Sequence, residues 1–420
     1  MQLNDEQQKA VLATERFLFL LAGAGTGKTK VVVERIRHMI SKGVLEHHIL
    51  AITFTKKAAS EMKERLKNQG VHIHTFHSLC HQYLKETLKI EFEMIDEQKM
   101  PFRPDETLAI SLYKNSLKRL KKPAIYERYQ AFLKQNKWKD FDDLLIETIE
   151  ALKNKPQDLY HSHIFVDEFQ DTNPLQFKLL KTLIKSDTHV FAVGDPDQSI
   201  YRFRGAYPTI ILEYEKTFQA KRYPLTLNYR STKAIIQMAN QIIFRHQKMP
   251  KQLVSTSPHK GLCYRIYYPS IMEECRQVIR LIRYLKKKHK SYPSIGILYR
   301  HHLRVSDLIL ALHEADIPFD IDDGADSTEY GIKLLTIHQA KGLEFEAVIL
   351  LGFEKGQLPS YQAQTKAEHD EERRLLFVAV TRAKMDLFAT ATGVSSLFQR
   401  ESGLKTVSPS QLDDIISLGD

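Results

Sequence analysis

AGAGTGKT at residues 22–29 sits between an apolar run and a helical pattern, and its residue types suit a phosphate chain. Gly23, Gly25 and Gly27 let successive backbone N–H groups converge on phosphate oxygens, a following helix N-terminus adds positive potential, and Lys28 supplies a mobile cation. The Thr29 hydroxyl is placed to ligate Mg2+. Ala22 stands where the strict G-x-x-x-x-G-K-S/T pattern has glycine. Further along, IFVDEFQD at 164–171 puts Asp167 and Glu168 straight after an apolar strand, with Gln170 and Asp171 beside them. There Asp167 can hold the Mg2+ shell and Glu168 can accept a proton from water attacking the γ-phosphate. Alone, the first string reads as a glycine turn and the second as a solvated strand end; in this order they point to ATP hydrolysis.

These residues need elements to hold them. The pattern predicts a strand at 17–21, a glycine loop, a helix at 28–41, a strand at 49–54 and a helix at 58–66, which read as βαβ units on a parallel sheet. Between 79 and 161 the β-rich runs thin out, and Leu108, Leu112, Leu117, Leu120, Phe132, Leu144, Leu145 and Ile149 recur at helical spacing, so a mainly helical insertion is expected. Strands resume at 164–166 and 190–193. A second α/β set begins near Leu225, with strands expected at 262–268, 295–299, 333–336, 347–351 and 387–390. The last 20 residues read as a polar tail with one short helix.

Composition sets the frame. With 420 residues, 43% hydrophobic and 27% charged, the chain matches neither a disordered nor a membrane protein. Its longest apolar runs, 17–22 and 347–351, fall far short of the roughly 18 residues of a membrane span. MQLNDEQQ lacks the basic start and apolar stretch of a secretory leader, so a cytoplasmic protein without a membrane partner is expected. Cys80, Cys263 and Cys275 are odd in number and form no C-x-x-C, which argues for buried or incidental thiols over a disulfide framework or zinc site.

Sixty-one Lys and Arg against 51 Asp and Glu leave +10, consistent with a polyanionic partner. Lys114, Lys118, Arg119, Lys121, Lys122, Arg128, Lys134, Lys137 and Lys139 crowd one segment that holds the single acid Glu127, and read either as a phosphate track or as a solvated helical face. The run Lys286, Lys287, Lys288, His289, Lys290 reads as cations at a helix C-terminus. Trp138 reads as a packing residue.

Across nearly its whole length the sequence resembles the UvrD/Rep/PcrA family of superfamily 1 helicases. LNDEQQKAV is similar to the family's Q motif, TFTKKAASEM (53–62) to motif Ia, HTFHSL (74–79) to Ib, VDEFQDTNPLQ to II and VGDPDQSIYRFRGA to III. LNYRST (227–232) resembles motif IV, LLTIHQAKGLEF (334–345) motif V and VAVTRAK (378–384) motif VI. The resemblance implies an α/β fold of two RecA-like P-loop cores in tandem: core 1A at 1–79 and 161–224, a shortened helical 1B insertion at 80–160, and core 2A at 225–420. The family's large 2B insertion is replaced by a short connection near 322–331.

Carried over residue by residue, the resemblance implies that ATP is held by Gln7 at the base, by Ala22, Gly23, Ala24, Gly25, Thr26, Gly27, Lys28 and Thr29 at the phosphates, by Tyr229 stacking on adenine and by Glu344 at the ribose. Mg2+ falls to Thr29 and Asp167. The catalytic set is Lys28, Glu168, Gln198 as γ-phosphate sensor, and Arg230 and Arg382, which reach the transferred phosphoryl from the second core. Single-stranded DNA is met by Phe54, Thr55, His77, Tyr201, Phe203, Arg204 and His338. QSIYRFRGA interleaves aromatic and cationic residues as a base-stacking platform does. At 203 the family commonly has Trp, so this platform is smaller.

The implied activity is ATP-driven 3′ to 5′ movement along single-stranded DNA, with unwinding of 3′-tailed duplex, the cores closing around ATP and reopening after hydrolysis. A different class is an ATP-switched DNA-binding protein, or a motor subunit that needs a nuclease, repair or replication factor. Retention of both Glu168 and Arg382 favours the motor.

Overall fold

The computed structural model describes residues 3–67, 70–207, 209–244, 249–321 and 330–417. Two compact units emerge, one of Met1–Ala22 with Gly27–Leu225, the other of Gly23–Thr26 with Thr226–Asp420. Residues 322–329, most of the short connection expected near 322–331, lie outside the described residues.

In the first unit six parallel strands run across the sheet in the order His72–Thr75, Ile49–Thr53, His163–Val166, His189–Gly194, Phe17–Ala22, Lys221–Leu225. The FLFLLA strand is buried along its length after Phe17, as a central parallel strand covered on both faces must be. Its register, Phe17 with Val190 through Leu21 with Gly194, brings the loop after Ala22 beside the loop after Gly194. All strands point one way, so the ends that carry chemistry share one edge of the sheet.

The helix Lys28–Ser41 follows, burying Val31, Val32, Val33 and Ile36. Residues 80–160 are mainly helical, with Pro104–Asn115, Tyr126–Gln135 and Phe141–Asn154. They also hold a two-residue parallel ladder, Glu93–Met94 on Trp138–Lys139, too short to leave a sequence signal. Phe102, Ile110, Tyr129 and Leu133 give the insertion a small core of its own, on which Trp138 packs.

The second unit has a seven-stranded parallel sheet in the order Phe319–Ile321, Ile332–Thr336, Ile295–Tyr299, Phe345–Leu350, Ala383–Ala391, Cys263–Tyr267, Lys405–Val407. The five strands expected from sequence are all present. The tail holds the one short helix expected, Pro409–Ser417, but is not simply polar: Lys405–Val407 pairs with Cys263–Tyr267, and Val407 and Leu412 are buried in the core of this unit. A three-residue edge strand with two exposed positions carries too few apolar residues to be read from pattern. Among the described residues no helix is long and apolar enough to cross a membrane.

Candidate nucleotide site and nucleic-acid surface

The phosphate loop is built by backbone. Gly25 (φ +67°) and Gly27 (φ +82°) occupy the left-handed region, where a side chain is strained, and Thr26 Oγ1 donates to Gly23 O at 2.9 Å. Gly27 caps the helix Lys28–Ser41 without a side-chain hydrogen bond, and the first turn holds no acid, so its N–H groups and dipole suit an anion. A Cβ on Gly27 would come within 2.9 Å of Gln7 Nε2. Gln7 is thereby placed against the loop: it is buried, and a reciprocal capping box with Asn4 fixes its helix, Asp5–Leu12.

Lys28 Nζ meets Glu168 Oε1 at 3.0 Å. Burial works against the Lys28 charge, but Glu168, Asp167 and Asp195 outweigh it and raise its pKa. Asp167 is buried, and burial together with the Glu168 charge pushes its carboxyl up to about 6 despite Lys28. A buried carboxylate so destabilised, with the Thr29 hydroxyl on the loop, is a hard-oxygen donor set that suits Mg2+.

Glu168 has φ +51°, which a non-glycine residue adopts at a cost of about 1–3 kcal/mol. Its neighbours hold it there. Phe169, fully buried, packs on Phe19, Phe177 and Tyr214, the Glu168 N–H donates to Asp167 Oδ1 at 2.9 Å, and Asp171 N donates to Glu168 O at 2.9 Å.

Gln170 is the residue that the sequence reading left without a role. It has no exposed surface; its Nε2 donates to Glu168 Oε2, its Oε1 accepts the Asp195 N–H at 2.9 Å, and its backbone carbonyl accepts Ser199 Oγ at 3.1 Å. Gln198 Nε2 in turn donates to Asp195 Oδ2 at 2.7 Å. Lys28, Glu168, Gln170, Asp195 and Gln198 therefore form one hydrogen-bonded chain. Gly194 is what admits it, since a Cβ there would lie 2.5 Å from Gln170 Oε1. The glutamine stood in view beside the acidic pair, but nothing local says that its amide bridges two strand ends.

Three residues beyond Gln198, the aromatic turn begins. Tyr201 stacks on Phe54 at 5.2 Å and 22°, Phe203 lies 6.0 Å from Tyr201, and the Arg204 guanidinium sits 5.5 Å from both the Tyr201 and Phe203 centroids. Phe203 is 47% exposed, so its face is open to a base. Thr55 is exposed, its hydroxyl engaged as N-cap of Lys56–Leu66 by accepting the Ala58 N–H at 3.1 Å. His77 meets Phe141 edge-on at 5.2 Å, and burial pushes its imidazole down to about 4, so it is neutral at pH 7. Phe141, 53% exposed, is an aromatic beside a predicted nucleic-acid residue that the sequence reading passed over.

In the second unit Arg230 Nη2 pairs with Glu344 Oε2 at 2.7 Å, and Lys384 joins at 3.1 Å. Burial opposes the Glu344 charge, yet Arg230 and Lys384 prevail and hold its pKa below the usual range. Arg382 is buried, donating to Val378 O at 3.0 Å and Leu343 O at 3.1 Å. Arg230 donates to Thr381 O at 3.3 Å, so Arg230, Glu344 and Arg382 form one cluster. Tyr229 is 44% exposed and His338 half-buried.

The basic segments divide. Lys114 belongs to no solvated face: its ammonium is buried between Asp140 and Asp143, 2.6 Å from each. Lys122 pairs with Glu127 and Lys139 with Glu147. The run at 286–290 does close the helix Ile271–His289, but Lys288 and His289 both reach the buried Asp386 at 2.8 Å. The cysteines are free thiols, and burial pushes Cys80 up to about 12. Among the described residues no group of three His, Cys, Asp or Glu is arranged to hold a metal ion.

Comparison with known proteins agrees with this geometry. The AAA domain family matches residues 7–204 and the UvrD-like helicase C-terminal domain residues 223–327 and 320–393. A probable DNA helicase of Mycoplasma pneumoniae is 32% identical over 94% of this chain and 84% of its own length. The ATP-dependent DNA helicase PcrA of Staphylococcus aureus is 34% identical, and that of Staphylococcus epidermidis 35%, each over 77% of this chain and 51% of the relative. The chain thus spans about half the length of the PcrA relatives it matches.

Proposed function

The chain belongs to the UvrD/PcrA-like superfamily 1 helicases, and we propose that it is an ATP-dependent DNA helicase that moves 3′ to 5′ along a single strand. The observation that carries this reading is the hydrogen-bonded chain from Lys28 and Glu168 through Gln170 and Asp195 to Gln198, which leads straight into the aromatic turn of Tyr201, Phe203 and Arg204. It joins the residues that would cleave ATP to those that would hold a base.

ATP seats its phosphates on the loop 22–29, with Gln7 toward the base. Lys28 then exchanges Glu168 for phosphate oxygens. That exchange frees the Glu168 carboxylate to take the proton of the attacking water, so the 3.0 Å ion pair keeps the base engaged until nucleotide arrives. Mg2+, held by Thr29 and Asp167, supplies neutralisation of phosphate charge when bound. By the family resemblance Arg230 and Arg382 would stabilise the transferred phosphoryl, and hydrolysis would drive movement along the strand. Direction and arginine roles rest on the family resemblance. The likeness to enzymes named DNA helicases supports DNA as the polymer.

Steady-state ATP hydrolysis measured with and without a single-stranded DNA oligonucleotide, with single-stranded RNA and blunt duplex as controls, tests the motor. Length-dependent stimulation by single-stranded DNA is the expected result; none overturns it. Unwinding of 3′-tailed but not 5′-tailed duplex is expected, and the reverse preference overturns the direction.

A further inference from the structure

The helix Pro104–Asn115 ends beside the aromatic turn: a Cβ on Gly205 would lie 3.5 Å from Asn115 Cβ and 4.0 Å from Leu112 Cδ2. The chain then passes through Ser116 into LKRLKK at 117–122, where Leu117 (φ +58°) and Lys118 (φ +62°) adopt the left-handed conformation in succession. Neither is a residue type that favours it, and such outliers persist where surrounding structure over-determines them, often at ligand clamps. Here the root is tied down. Lys114 is held in its buried ion pairs, Asn115 Nδ2 donates to Asp142 Oδ1 at 3.0 Å, Lys118 N donates to Tyr113 O at 3.0 Å, and Leu120 N donates to Ser116 Oγ at 3.2 Å.

The outcome is a short loop that displays Lys118, Arg119, Leu120 and Lys121, all exposed, next to the stacking platform. Among the described residues the side chains of Lys118, Arg119 and Lys121 form no ion pair. Glu150, which feels the Lys118 charge, is already engaged by Lys153 at 2.7 Å. Arg119 lies close enough to Tyr207, just past the aromatic turn, for its charge to act on that phenol. Other cations of the segment are held elsewhere: Lys122 and Lys139 by carboxylates, and Arg128 over the Phe102 ring at 5.8 Å.

We propose that residues 118–121 form a phosphate-gripping loop that extends the single-strand site beyond Tyr201, Phe203 and Arg204. Lys118, Arg119 and Lys121 take successive backbone phosphates, and Leu120, 54% exposed, covers the sugar or base face between them. This rests on the reading of the aromatic turn as a nucleic-acid surface. Bases stacked on one element leave their phosphates on the outside, and a cationic loop beside that element is where such a backbone gains from neutralisation.

The test is the salt dependence of single-stranded oligonucleotide binding by the full chain, using Lys118→Ala/Arg119→Ala/Lys121→Ala, the control Lys134→Ala/Lys137→Ala, which removes two exposed cations of the same segment outside the loop, and Phe203→Ala. Each lost phosphate contact removes about 0.7 from the slope of log K against log salt, so the triple variant loses about 2, and on the order of a hundredfold in affinity near 0.1 M salt. The control keeps the wild-type slope and its basal ATP hydrolysis. An unchanged triple variant, equal losses in the control, or a loss confined to blunt duplex each overturns the assignment. Phe203→Ala separates the two readings. If it weakens binding and the triple variant does not, only the loop fails; if wild-type protein does not bind the oligonucleotide at all, the underlying reading fails with it.

Discussion

Replacing Gln170 by leucine removes one amide from the centre of the nucleotide site while keeping its volume. The change costs Glu168 the donor to its Oε2 and the Asp195 N–H its 2.9 Å acceptor. Loss of buried hydrogen bonds of this kind costs about 1–3 kcal/mol. If that cost falls on the alignment of Glu168, turnover drops about 5- to 150-fold, at 1.36 kcal/mol per tenfold. ATP affinity is expected to hold, because Lys28 and the loop glycines are untouched. The assay is single-turnover hydrolysis beside equilibrium nucleotide binding, both with saturating single-stranded DNA. Gln170→Glu adds a readout that a merely structural role does not move: a second negative charge beside Glu168 raises the pKa of the base and shifts the acid limb of the rate profile to higher pH. Unchanged turnover in Gln170→Leu, or an unshifted profile in a folded Gln170→Glu, refutes the claim that this amide positions the base.

Glu168→Gln is expected to bind ATP and oligonucleotide yet hydrolyse at least a hundredfold more slowly by the usual scale of general-base loss, about 10²–10⁴; hydrolysis at the wild-type rate removes Glu168 as base. Lys28→Ala is expected to lose nucleotide affinity itself, read by titration with a fluorescent ATP analogue, and normal affinity counts against the loop assignment. Phe203→Trp enlarges the platform and is expected to tighten single-stranded DNA binding, whereas Phe203→Ala weakens it by about 1–3 kcal/mol, compared by fluorescence anisotropy. Burial pushes His74, His77, His161 and His163 down to about 4, below their ordinary 6.5. Between those values the unfolded chain binds more protons, so their contribution is complete above about pH 6.5 and is lost as pH falls toward 4. Asp142, raised to about 7 by burial and its Asp140 neighbour, and Asp143 and Asp167, each raised to about 6, pull the other way but are fewer. The urea midpoint is therefore expected to be lower at pH 5 than at pH 7, and a higher midpoint at pH 5 contradicts the assignment.

Much of the site was legible because its parts are local. A glycine loop between an apolar strand and a helix, an acidic pair after a second strand, and aromatic residues alternating with arginine are each written within about ten residues, where backbone sterics and side-chain chemistry act without help from the rest of the chain. The strands at 17–22, 49–53, 163–166 and 295–299 were readable for the same reason, since burial on both faces demands continuous apolar runs. What tertiary structure decided is which charge meets which partner. Lys114 and Lys118 look alike in sequence, yet one is sealed between two aspartates and the other displayed beside the stacking turn. Gln170 becomes a bridge only because parallel pairing sets the end of His163–Val166 beside the end of His189–Gly194. Lys405–Val407 became a strand because Cys263–Tyr267 offered an open edge. Local pattern specifies what a residue is able to do; the register of distant strands specifies what stands within 3 Å of it, and at that distance hydrogen bonds and ion pairs decide its chemistry.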